Sequence, residues 1–178
     1  MMSQGMHIIV DCSGSMAEDA KCRIARHLCN YLLQEAGLHG QPAPRLFSWR
    51  GTEVLPVESG QDGVELPEPS GRNSVSALAE FLAGAQPPAW MLVSDMCFHA
   101  TLLEKAPPFV SVGVGAEAEL HAPLISSEVS AYQAEDIRAA WETLLALADG
   151  GTPPFPETYD ELNALMSGPA NQENDSWT

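Results

Sequence analysis

The apolar run MHIIV at residues 6–10 stops at Asp11 and gives way to a loop of small polar residues, Cys12-Ser13-Gly14-Ser15. A long helical pattern follows. No other feature limits the fold as much. Five apolar, partly β-branched residues are too few for a helix and read as a strand buried on both faces. Such a strand needs partners on both edges and a layer on each side.

The remaining chain supplies those partners. Residues 17–36 read as a helix, because Cys22, Ala25, Cys29, Leu32 and Ala36 recur at intervals of three and four. Gly37 is a stop signal. Residues 45–50 and 52–58 read as two strands joined tightly at Gly51, a hairpin whose Pro56 suits a sheet edge. Residues 59–71, rich in Gly, Pro and acid, read as a surface loop, and residues 75–83 as a short helix. Residues 90–94 (WMLVS) and 109–115 (FVSVGVG) read as buried strands. Residues 99–105 suggest a helical turn or two, and residues 124–132 a weaker strand. Residues 135–148 form a helix with Ile137, Trp141, Leu144 and Ala148 on one stripe. Alternating strands and helices predict an α/β domain with a mainly parallel sheet. That domain is expected over residues 1–148, followed by an acidic, Pro-rich extension over residues 149–178.

Charge narrows the function. The chain carries 24 Asp+Glu against 8 Lys+Arg, a formal −16. A polyanion is repelled by phosphate backbones unless a basic face is gathered somewhere. The only close basic group is Lys21, Arg23 and Arg26, with Glu18 and Asp19 beside it. Nucleic acid and membrane are therefore not expected as partners. Apolar runs fall far short of the ~20 residues of a membrane span. The first six residues carry no positive side chain, so no secretory signal is expected. The expected setting is a reducing cytoplasm, with Cys12, Cys22, Cys29 and Cys97 as free thiols.

Ligands in open α/β sheets sit outside the carboxyl ends of the strands. Two strand ends carry acids there, Asp11 and Asp95, and the loop before the second helix offers Asn73 and Ser74. With Ser13 and Ser15 these are hard oxygen donors, which suit Mg²⁺. Blander readings stand beside this one. Asp11 also suits a helix cap and Asp95 a turn. Ser74 is equally an N-cap, and Asn73 reads best as a turn residue. Cys12, Cys97 and His99 flank the two acids and offer a less favoured soft-metal or redox site.

Asp11-x-Ser13-x-Ser15 at the end of the first strand, a second loop opening a helix, the edge hairpin, VSDM at a later strand end, the VGVG strand and the closing helix together resemble von Willebrand factor A (vWA) domains. The likeness spans residues 6–148 and is closest to small stand-alone bacterial members. It implies a Rossmann-like three-layer α/β fold, with one antiparallel edge strand and helices on both faces. It also implies a metal-ion-dependent adhesion site, with Ser13 and Ser15 as direct ligands to Mg²⁺ (or Mn²⁺ or Ca²⁺), and Asp11 and Asp95 holding waters or the serines. The family usually supplies a threonine from the second loop. This chain has none there, and Ser74 or Asn73 stands in its place.

The resemblance further implies a non-catalytic scaffold or adaptor, with an Asp or Glu of a protein partner completing the metal's coordination. A MoxR-type AAA+ ATPase, or a stress or defence system, is the setting it suggests. Two alternatives remain open. The missing threonine suits a metal-independent binding domain of the same fold. Less favoured is a phosphoryl-transfer enzyme using Asp11, since Ser13 stands where an Asp-x-Asp motif needs its second acid. No Walker motif, GxGxxG or GxSxG is present.

Overall fold

The computed structural model describes residues 5–96, 106–118 and 130–151. Its strands are β1 His7–Asp11, β2 Arg45–Arg50, β3 Glu53–Pro56, β4 Ser59–Gly60, β5 Gly63–Val64, β6 Trp90–Ser94, β7 Phe109–Gly113 and β8 Ser130–Gln133. The α-helices are α1 Lys21–Leu38, α2 Val75–Ala85 and α3 Ile137–Ala148.

β1 is buried at every position and lies in the middle of a six-stranded sheet of order β3-β2-β1-β6-β7-β8. It pairs in parallel with β2 (His7 opposite Arg45) and with β6 (His7 opposite Trp90). β6–β7 and β7–β8 are also parallel, whereas β3 runs antiparallel to β2 at the edge, with Pro56 opposite Phe47. β4 and β5 form a small separate hairpin within the loop after β3. This is the expected three-layer α/β fold.

Alternate side chains of the central strands feed two cores. Ile8, Val10, Met91, Val93, Val110 and Val112 pack with Ala25, Leu28, Cys29 and Leu32 of α1 and with Ala140, Trp141 and Leu144 of α3. Ile9, Phe47, Trp49, Trp90, Leu92 and Phe109 pack on the opposite face with Leu78 and Leu82 of α2. Each fully buried Leu, Ile or Val contributes roughly 1.5–3 kcal/mol, so these layers hold the sheet rigid beneath its loops. Trp49, Trp90 and Trp141 are buried packing residues, and each indole N–H finds an acceptor: Ser74 O, Pro107 O and Gln41 Oε1.

Several boundaries differ from the sequence reading. α1 starts at Lys21, not residue 17, because Asp19 and Ala20 are left-handed (φ 48° and 60°) and break the chain from the preceding 3₁₀ turn. Its buried face accordingly begins with Lys21 rather than Cys22, which is half-buried. The helix also runs through Gly37 to Leu38 before stopping. α3 ends at Ala148 as read, but it begins at Ile137 rather than residue 135, after a 3₁₀ turn over Ala134–Asp136. The readings for residues 99–105, 124–129 and the extension beyond residue 151 lie outside the described residues. Among those described, no helix is long and apolar enough to cross a membrane.

Candidate functional site

Strand order reverses at β1: the chain moves outward through β2 and β3, then returns to β6 on the other side. A crevice opens above such a switch point. Asp11 ends β1 and Asp95 follows β6, so the topology alone delivers both acids to this crevice.

Asp11 is 2 % exposed and organises the loops around it. Its Oδ1 accepts from the Ser13 backbone N–H (2.8 Å) and from Asn73 Nδ2 (2.8 Å), while its Oδ2 accepts from Ser94 Oγ (2.6 Å). Burial pushes its carboxyl above the ordinary range and the Asp95 charge adds to that; the Ser94 and Ser13 hydrogen bonds pull the other way. With both oxygens engaged and the group shielded from solvent, Asp11 is poorly placed to attack a phosphoryl group.

The first loop is clamped to the second. Gly14 N–H donates to Gly71 O (2.8 Å) and Ser70 N–H donates to Cys12 O (3.0 Å). A side chain at position 14 would sit 3.3 Å from Gly71 O, a tight contact that favours glycine at this close approach. Met16, fully buried, pins the loop's far end into the core. The result places the hydroxyls of Ser13 and Ser15 3.2 Å apart on a part-buried surface.

Asn73 ties three elements together. Its Nδ2 donates to Asp11 Oδ1 and to Trp49 O (2.7 Å), and its Oδ1 accepts from Gly51 N–H (2.7 Å). The second-loop residue bonded to Asp11 is thus Asn73. The Ser74 hydroxyl instead caps α2, accepting from Ala77 N–H (3.3 Å) and pairing with Ser76 Oγ (2.9 Å).

Asp95 is fully buried, and its Oδ2 accepts from Lys21 Nζ at 3.1 Å. Lys21 is itself 2 % exposed. The same ammonium donates to Ser15 O (3.3 Å) and lies 3.7 Å from Glu117 and 3.9 Å from Glu18, both solvent-exposed carboxylates. Desolvation would pull its pKa down, but the Asp95 hydrogen bond and the charges of Asp95, Glu117 and Glu18 outweigh that and hold it above its ordinary value. The lysine stem crosses Gly115 (φ 94°), where an added Cβ would meet Lys21 Cε at 2.9 Å. The lack of a side chain at Gly115 thus makes room for the lysine stem.

Ser13, Ser15, Asp11 and Asp95 therefore gather around one crevice. Ser94 and Asn73 hold Asp11, and Lys21 holds Asp95. Lys21 carried a signal in the sequence: Lys21, Ala25, Leu28 and Leu32 share the helical spacing of a buried face. Ser94 had none beyond its place next to Asp95. Cys12 is a buried packing thiol whose pKa burial pushes up to about 12, as it does for Cys29. Cys97 and His99 lie outside the described residues. Among those described, no three His, Cys, Asp or Glu side chains gather as a metal cluster. A concavity of ≈ 410 Å³ lined by Arg50, Glu53, Leu55 and Leu66 lies at the β3 edge, away from these groups.

The chain is similar to the solved structure of the SpRpn10 VWA domain, at 8% identity and a TM-score of 0.47, over 76% of this chain and 93% of that chain. No family model matches the chain, and no curated protein does.

Proposed function

We propose that this chain is a protein-interaction module that docks a partner over the carboxyl end of its sheet through a bound divalent cation. The observation that carries the reading is the pair of part-buried serines, Ser13 and Ser15, whose hydroxyls lie 3.2 Å apart on a loop that Asp11 holds from below. Adjacent ligands of an octahedral Mg²⁺ stand about 3 Å apart, given a metal–oxygen distance of about 2.1 Å. The donors are hydroxyls and carboxylates, the hard oxygens that Mg²⁺ and Mn²⁺ prefer. Ser13 and Ser15 would hold the ion, and Asp11 and Asp95 would offset its charge from behind.

When bound, such an ion supplies an open coordination position for a carboxylate of the partner. The protein's own part is to fix the hydroxyls, hold the two acids in place through Ser94, Asn73 and Lys21, and present the loop. In a chain of net charge −16, a local dication reverses the repulsion that an acidic partner residue would otherwise meet.

Isothermal titration of chelator-treated protein with Mg²⁺ and Mn²⁺ tests the metal half. Binding by the wild type and at least a tenfold loss in the Ser13→Ala/Ser15→Ala variant is the expected result. No binding by the wild type at millimolar metal would sink it. Co-purification of a partner with and without chelator then separates metal-dependent docking from docking by the same surface without metal.

A further inference from the structure

We propose that Lys21 is a tethered counter-cation of this site, neutralising Asp95 until a divalent ion arrives and leaving when it does. The inference rests on the cation reading of the crevice and adds how that crevice is kept and loaded.

Three observations carry it. First, the ammonium touches two of the residues assigned to the ion: it lies 3.1 Å from Asp95 Oδ2 and 3.3 Å from the backbone carbonyl of Ser15. A buried carboxylate charge is costly to leave uncompensated, and the Lys21 ammonium supplies an opposite charge without metal. Second, the lysine sits where local rules disfavour one. It is the first residue of α1, where the helix dipole repels a cation, and its face of the helix is otherwise apolar. It is reached through two consecutive left-handed non-glycine residues, Asp19 and Ala20, and its stem needs the bare backbone of Gly115. A chain that accepts these strains to place one charge is constrained by that charge.

Third, an exit is built in. Glu18 and Glu117 stand 3.9 Å and 3.7 Å from the ammonium, and their side chains are 66% and 59% exposed. A dication beside Ser15 and Asp95 would repel the ammonium. A modest rotation of the lysine stem would hand it to these two outer carboxylates, so the displaced charge stays paired. The exchange replaces one positive charge by two at Asp95, and it sets a threshold concentration below which the crevice stays in its lysine form.

The test uses amine acetylation read by mass spectrometry. The chain has two lysines, Lys21 and Lys105, so the second serves as the reference. In chelator, Lys21 is expected to react slowly. In Mg²⁺ or Mn²⁺ at a concentration that calorimetry shows to be saturating, its rate relative to Lys105 is expected to rise at least tenfold. An unchanged rate in metal-bound protein overturns the exchange while leaving the cation site standing. In parallel, Lys21→Met is expected to bind Mg²⁺ at least tenfold more tightly than wild type, or to fold only when Mg²⁺ is present. Equal or weaker affinity overturns the proposal. Where the variant folds under neither condition, the labelling of the wild type decides. Absence of metal binding by both proteins sinks the cation reading itself and the exchange with it.

Discussion

Asn73 donates to Asp11 Oδ1 at 2.8 Å and, with the same amide nitrogen, to the carbonyl of Trp49 at 2.7 Å. One side chain thereby joins the second loop to the ends of β1 and β2. Substitution by Ala removes three hydrogen bonds and leaves Asp11 short of a donor. Each lost bond costs about 1 kcal/mol, more where a charged partner is stranded. Asn73→Ala is expected to lose about 2–4 kcal/mol in urea denaturation and to weaken Mg²⁺ binding. Asn73→Asp is expected to be worse, since it sets a second carboxylate against the first.

Ser94 offers a sharper probe of the same acid. Its hydroxyl donates to Asp11 Oδ2 at 2.6 Å and accepts from the Met96 N–H at 2.9 Å. Ser94→Ala removes a bond that lowers the Asp11 pKa, so the carboxyl is expected to move further up. NMR titration of the side-chain carboxyl would report that rise. Stability is expected to fall by about 2–3 kcal/mol, the cost of a lost bond to a buried charged group. An unchanged Asp11 titration would show that the hydroxyl does not hold the charge.

Gly115 and Gly40 make a matched pair. Both have positive φ, 94° and 63°, but a Cβ at Gly40 meets nothing within 4 Å, whereas one at Gly115 strikes the Lys21 stem. Gly40→Ala is expected to cost about 1 kcal/mol from backbone conformation alone. Gly115→Ala is expected to cost at least twice that in thermal denaturation and to raise acetylation of Lys21 even in chelator. Equal effects of the two substitutions would show that the stem yields freely.

His7 lies at the opposite end of β1. It is buried against Phe47 (ring centroids 4.8 Å) and Phe81 (6.1 Å), with Nδ1 lacking a partner. Burial, and then the Arg45 charge, push its imidazole down from 6.5 to about 4. The unfolded chain takes up this proton below about pH 6.5, and the folded chain only below about pH 4. Its contribution to stability is therefore complete above the first value and lost progressively down to the second, a slope worth at most about 3 kcal/mol. His7→Phe is expected to flatten that part of the stability–pH curve. Asp11, shifted in the opposite sense, is present in both proteins, so the difference between the two curves isolates His7.

Much of the fold was readable from residue pattern. β1, β6 and β7 are apolar runs, and Gly51 and Pro56 mark the edge hairpin. Asp11, Ser13 and Ser15 lie on one loop, so their nearness follows from the chain itself. The nearness of Asp95 follows from strand order. What the pattern hid is the wiring. Asn73 looks like an ordinary turn residue, because its three bonds reach residues more than twenty positions away. Lys21 counted as one of three clustered basic residues, and only its helical phase sets it apart from Arg23 and Arg26. The start of α1 was misplaced because Ala20 adopts a left-handed conformation that alanine disfavours, by about 1–2 kcal/mol. Tertiary contacts impose that conformation, and local propensity gives no notice of it.

The kink at Asp19 and Ala20 makes the site and the core share one reading frame. Each helical residue turns the chain by about 100°. Losing or gaining one residue between Ser15 and Lys21 would therefore swing the ammonium away from Asp95. It would also rotate Ala25, Leu28 and Leu32 off the sheet, unless the kink absorbed the change. Spacing here is specified as tightly as identity. A relative of this chain with a different count between its second serine and its first buried helical residue would need either a straightened entry into the helix or a different cation for its second acid.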